Sequence, residues 1–195
     1  MMSLSKTCKR NNSGLTFVEM IVVVLIMAIM ATVTLLSANT IQRRNVDKCA
    51  NKLSKMLDTA RVKTMSKSDN GYNVGLVIYY YDRTYYAQIV YLNTGTGNID
   101  EYGSKEDIGG GALDIEMKKL DYDNLSAPAT DIVNIRNVCA GAADENAAFT
   151  AAKAYMVKFR KSNGQFLQTQ NTITVTGSKT VNVVLVSETG RNYLD

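Results

Sequence analysis

A chain of 195 residues with 46% apolar residues is long enough for one globular domain plus an appendage and too short for two full domains. The net charge of +4 is concentrated in the first fourteen residues, where Lys6, Lys9 and Arg10 have no acid beside them; the remainder carries only +1, which argues against a general nucleic-acid binder. Histidine is absent, which excludes His-dependent acid–base catalysis, Ser-His-Asp and Cys-His nucleophiles and His-ligated zinc.

Residues 1–14, MMSLSKTCKRNNSG, are short, polar and basic. They are followed by LTFVEMIVVVLIMAIMATVTLL, about 22 residues from Leu15 to Leu36, with Glu19 as the one charge. At about 1.5 Å per residue this run is long enough for a bilayer core. A cleaved secretory signal has a shorter apolar stretch and a small-residue site, whereas Leu36-Ser37-Ala38 places a large residue there. A plain anchor fits the length but leaves Glu19 without a purpose, since a carboxylate in the bilayer costs about 2.5–3.5 kcal/mol. Cutting after Gly14 supplies the purpose. It exposes an α-amine at Leu15, one helical turn from Glu19 and within reach of a neighbouring chain's carboxylate, so that each charge offsets the other's desolvation.

At Lys9-Arg10, Gly14, Leu15-Thr16-Phe17-Val18-Glu19-Met20 and the apolar helix beyond, the chain resembles the prepilin family, the type IV pilins and type II secretion pseudopilins. The resemblance implies that a membrane prepilin peptidase cuts between Gly14 and Leu15, that Leu15 becomes the N-methylated terminus, and that Glu19 is the assembly carboxylate. It further implies a filament in which the partners are the membrane, other pilin-like subunits and the assembly machinery. The implied location is a single-pass cytoplasmic-membrane protein with its N-terminus inside, later carried into an extracytoplasmic filament. Lys6, Lys9 and Arg10 agree with that orientation, while Arg43, Arg44 and Lys48 beyond the run weigh against it.

No Gly or Pro interrupts residues 15–70, so the spacing predicts one helix from about Thr16 to about Ser66. Residues 15–37 form its membrane and assembly part, and residues 38–70 an amphipathic continuation. Val46, Cys49, Ala50, Leu53, Met56, Leu57 and Ala60 recur at three- and four-residue intervals and form an apolar stripe to dock on a sheet. Asp69-Asn70-Gly71 is the expected stop.

Residues 71–195 read as a mostly antiparallel β domain, so the fold class is α+β, a long N-terminal helix packed on that sheet. Tyr72–Tyr81 and Tyr85–Leu92 predict a hairpin turning at Asp82-Arg83. The glycine-rich NTGTGNIDEYGSKEDIGGG reads as a surface loop. Leu113–Met117 and Ile132–Val138 read as short strands, and the Ala-rich residues 139–152 as a short helix. Two further hairpins are expected, one around Asn163-Gly164 and one around Gly177-Ser178, with a last turn at Thr189-Gly190.

The helix exit Leu57-Asp-Thr-Ala-Arg61 and the terminal Val184-Leu-Val-Ser-Glu-Thr-Gly-Arg191 resemble the GspH/FimT branch of the pseudopilins. Some FimT-like members bind DNA through basic residues after this glycine. Only Arg191 matches, so a DNA-binding competence pilin is the alternative function, and nucleic acid the alternative partner.

The three cysteines lack Cys-x-x-Cys spacing, and removal of the leader leaves Cys49 and Cys139, either bonded outside the cell or packed as reduced thiols. The tyrosines are hairpin faces before they are a stacking platform. Asp121-Tyr-Asp123-Asn124 lacks the rest of an EF-hand loop and reads as a solvated turn. No phosphate-binding loop occurs, so the chain is not an assembly ATPase; no metal, cofactor or catalytic residue is expected, and a membrane-anchored enzyme is the remote alternative.

Overall fold

The computed structural model describes residues 16–66, 72–93, 95–118, 132–160, 163–166, 171–186 and 188–195. The expected cleavage junction Gly14–Leu15, the helix stop at 69–71 and the acidic turn at 121–124 lie outside them. The chain is α+β and forms two compact units, Met1–Asn39 and Thr40–Asp195, with helix α1 (Phe17–Ser66) belonging to both.

In the first unit, every described side chain from Thr16 to Thr32 is exposed, including Phe17 at 81% and Met27 and Met30 at 65% each. No helix among the described residues is long and apolar enough to cross a membrane. The run expected to do so, Leu15 to Leu36, extends beyond the described side chains at both ends.

In the second unit, the predicted stripe is the helix's buried face: Val46, Cys49, Ala50, Leu53, Met56, Leu57 and Ala60 are all in the core. Thr64 continues it, its hydroxyl satisfied by donating to the Ala60 carbonyl at 2.8 Å. The core is completed by two antiparallel sheets. One has the order β3-β2-β1-β6, from β1 (Tyr72–Tyr81), β2 (Thr84–Asn93), β3 (Ile99–Gly110) and β6 (Val157–Lys158). The other has the order β5-β4-β7-β8-β9, from β4 (Asp114–Lys118), β5 (Ile132–Asn134), β7 (Asn171–Thr176), β8 (Thr180–Val186) and β9 (Arg191–Leu194).

The β1–β2 hairpin turns where expected. Asp82 and Arg83 both take positive φ, 45° and 60°, as the two central residues of a type I′ turn must. The glycine-rich segment departs from expectation: residues 99–110 are not loop but the edge strand β3, paired along β2 with bulges. Its glycines permit close approach rather than slack. A Cβ on Gly110 would sit 2.2 Å from the Arg83 carbonyl oxygen, so only glycine lets the strand end close against the hairpin turn.

The stretch 132–138, expected as one strand, is strand only to Asn134. The Asn134 side chain then accepts the Arg136 N–H and starts helix α2 (Ile135–Val138). Helix α3 (Glu145–Ala152) is the expected short Ala-rich helix, capped by Asp144. Among the described residues the expected hairpin around Asn163-Gly164 shows a bridge between Phe159 and Phe166, with the Arg160 N–H donating to the Gln165 carbonyl at 2.6 Å, while Val157 and Lys158 pair with β1.

The helix lies between the free edges of the two sheets. On one flank Lys52 donates to the Asp107 carbonyl and Lys63 to Ser104, both on β3. On the other flank Asn192 of β9 bonds Ser54 and Asp58, and Lys179 pairs with Asp47.

Candidate functional site

The first described turn of α1 carries Glu19, the expected assembly carboxylate. Thr16 caps the helix, its hydroxyl accepting the Glu19 N–H at 3.3 Å. Glu19 returns the contact: its Oε2 accepts the Thr16 N–H at 3.1 Å and the Thr16 hydroxyl at 3.3 Å. This reciprocal capping box satisfies donors that a helix start leaves orphaned, and it places a carboxylate where the helix dipole favours one. The pattern Thr-x-x-Glu ahead of an apolar run is the sequence signature of such a cap. Both bonds that the Glu19 carboxylate accepts among the described residues fall on Oε2, and Oε1 has no partner there. A carboxylate has room for several donors, so an incoming cation can be accepted without dismantling the cap.

Cys49 and Cys139 are both buried free thiols, the packed-thiol alternative of the sequence reading. Cys49 faces the β3 end, with burial pushing its thiol up to about 12. The Cys139 sulfur instead accepts the Tyr80 N–H at 3.3 Å and donates to the Ala148 carbonyl at 3.5 Å, tying α2 and α3 to β1. Burial raises its pKa too, so neither is a reactive thiolate at neutral pH.

Arg191 opens β9 opposite Val186 and is exposed; the neighbouring Asn192, not Arg191, makes the contacts to α1.

Two polar clusters of the second unit were not anticipated, because their members are distant in sequence. Glu145 at the start of α3 accepts from both Tyr79 and Lys105, and Lys105 also lies 4.2 Å from the centre of the Tyr86 ring. The bond from Lys105, then that from Tyr79, holds the Glu145 carboxyl below its usual range, while burial and that same carboxylate push the Tyr79 phenol well above its own. These residues, with Gln88, Tyr102, Asn146 and Phe149, line an open cleft of about 340 Å³. Arg136 donates to the carbonyls of Gly111 and Leu113, pairs with Asp114 at 3.2 Å and stacks 5.0 Å over Tyr80. In each cluster the charges are spent on one another, which pins α2 and α3 to the sheets. Among the described residues no group of acids and cysteines is arranged to hold a metal ion.

The family model for the prokaryotic N-terminal methylation motif matches residues 9–35. The matched segment contains Lys9-Arg10, the Gly14–Leu15 junction, the Thr16–Glu19 cap and nearly all of the apolar run. It supports a type IV pilin-like family, one whose members are structural rather than catalytic. Neither a curated protein nor a solved structure matches the chain.

Proposed function

We propose that this chain is a minor pilin or pseudopilin subunit and not an enzyme. A prepilin peptidase cuts it after Gly14, Leu15 becomes the methylated N-terminus, and the N-terminal helices pack side by side into a filament. Before assembly the apolar run, residues 15–37, holds the subunit in the cytoplasmic membrane with its N-terminus inside; the domain of β-sheets is carried outside.

One observation carries this reading most directly. The methylation-motif match falls on a helix start whose apolar side chains are exposed all round, from Phe17 to Met30. A surface of that kind demands a cover of lipid or of other apolar helices. Glu19 fits the same account. Its open oxygen accepts a neighbour's α-amine, and in low dielectric the pair offsets its own desolvation. The GspH/FimT resemblance favours a minor subunit over a major one; Arg191, alone and without a second basic neighbour, gives the DNA-uptake reading little support.

Glu19→Val tests the proposal in the producing cells. The variant should be cut after Gly14 at the normal rate and accumulate in the membrane, while its share in sheared filaments falls at least about tenfold, the equivalent of 1.4 kcal/mol. Incorporation at the wild-type level would defeat it.

A further inference from the structure

The cleft between β3 and α3 has no part in filament assembly as described above. Tyr79 and Gln88 of the sheet form its floor, Tyr102 and Lys105 of β3 one wall, and Glu145 and Asn146 of α3 the other. All of them lie in the second unit. At about 340 Å³ the cleft falls within the range of small-molecule sites, about 300–1,000 Å³.

The β3 wall is shaped by an irregularity. Tyr102 and Lys105 are three residues apart, a spacing that puts side chains on opposite faces of a regular strand. Here they share the cleft, because β3 bulges between them: Lys105 lies opposite Gln88 and Tyr102 opposite Val90, three steps along β3 against two along β2. Gly103 sits in the bulge, where a Cβ would come within 3.1 Å of both the Ile89 carbonyl oxygen and the Tyr91 ring. Bulges of this kind re-aim a side chain beside a binding site. The side chain re-aimed is an aromatic ring that is 59% exposed. It meets Phe149 edge-on at 5.6 Å between centres, and its hydroxyl has no hydrogen bond among the described residues.

The polar lining offers donors and acceptors but no free charge. The side-chain amides of Gln88 and Asn146 make no hydrogen bond among the described residues. Tyr79 and Lys105 both bond Glu145 at Oε1, which leaves Oε2 open. Lys105, the cation lining the cleft, is neutralised by Glu145. A phosphate or carboxylate would find its cation already taken, and a wholly apolar ligand would bury two amides without partners. A sugar ring meets both requirements. Its C–H face packs on an aromatic ring, and its neighbouring hydroxyls, each donor and acceptor, suit planar amides and a carboxylate oxygen.

We propose that this cleft binds an uncharged saccharide, with the Tyr102 ring against the C–H face of one sugar and Gln88, Asn146 and Glu145 Oε2 on its hydroxyls. The site is independent of the filament reading; joined to it, the domain carried outside bears a glycan-binding surface.

The test uses the full chain in a detergent without a sugar headgroup. It is applied to an array of immobilised glycans with neutral hexose, N-acetylhexosamine and deoxyhexose ends, beside sialylated glycans and a single-stranded oligothymidylate. Neutral glycans should bind, and added salt should leave that binding unchanged, because no ion pair forms with the ligand. Tyr102→Ala and Gln88→Ala should each weaken binding at least about tenfold, and Tyr102→Phe, which keeps the ring, should retain most of it. The neutral glycan bound best, added free to the unaltered chain, should shift the side-chain amide resonances of Gln88 and Asn146, a readout independent of how any variant folds. Binding of no neutral glycan, binding confined to the sialylated glycans or the oligothymidylate, or an undiminished affinity of Tyr102→Ala overturns the proposal. So do Gln88 and Asn146 resonances that stay in place while the glycan is bound.

Discussion

Gly190→Ala isolates the contact that ties the C-terminal strand to the rest of the second unit. Gly190 lies in the β8–β9 turn with φ 65°, and a Cβ added there would fall 1.8 Å from the Gly164 carbonyl oxygen and 2.7 Å from its carbon. Both neighbours are backbone, so no rotamer relieves the overlap; the turn or the 163–166 segment must shift. Gly97→Ala is the matched control, with φ 69° and nothing within 4 Å of the added carbon. The left-handed conformation costs an alanine about 1–2 kcal/mol in either place. The overlap at Gly190 adds about 1–3 kcal/mol, the usual range for overpacking. At about 2–4 °C per kcal/mol for a chain of this size, Gly97→Ala should lower Tm by about 2–8 °C and Gly190→Ala by about 4–20 °C. Thermal unfolding of the full chain in detergent, followed by near-ultraviolet circular dichroism of its 11 tyrosines, reads the difference. Proton exchange should also quicken at β9, because Asn192, two residues on, loses its hold on Ser54 and Asp58. A Gly190→Ala loss no larger than that of Gly97→Ala refutes the reasoning.

Titration supplies the other predictions. Burial holds the Cys49 thiol protonated up to about 12 and the Tyr85 phenol likewise up to about 12. The folded state therefore binds more protons than the unfolded state above pH 9, and stability should fall as pH rises from about 9 toward 12. Cys49→Ser should flatten part of that decline, and in the native protein Cys49 should resist iodoacetamide at pH 8 while reacting in denaturant. The Glu145 carboxyl is displaced the opposite way, by Lys105 first and then Tyr79. Its contribution is present above the ordinary carboxylate range and lost on acidification below about pH 4.5. Glu145→Gln should remove that acid dependence and loosen α3, read as faster amide exchange over residues 145–152.

The elements legible in the sequence are those whose pattern is local. The stripe from Val46 to Ala60 follows the helical period and is buried throughout, and Asp82-Arg83 between two β-branched and aromatic runs turns the hairpin as expected. β3 was not legible because its evidence is not local: a glycine such as Gly110 signals loop by composition, and only the approach of Arg83 from another strand shows why it is there. The break at Asn134 turns on a side chain serving as a cap, a choice that strand propensity does not contain. For the site, Glu19 stood out as a charge in an apolar run, and the Thr16 cap was equally visible. The Tyr79–Lys105–Glu145 cluster joins three elements and has no signature in the chain order.

The most direct measurement is the intact mass and N-terminal sequence of the chain recovered from filaments. The account predicts a first residue of Leu15, heavier by one methyl group, with residues 1–14 gone. A chain that keeps its leader in cells possessing the peptidase, or one that begins near Ala38, would contradict it.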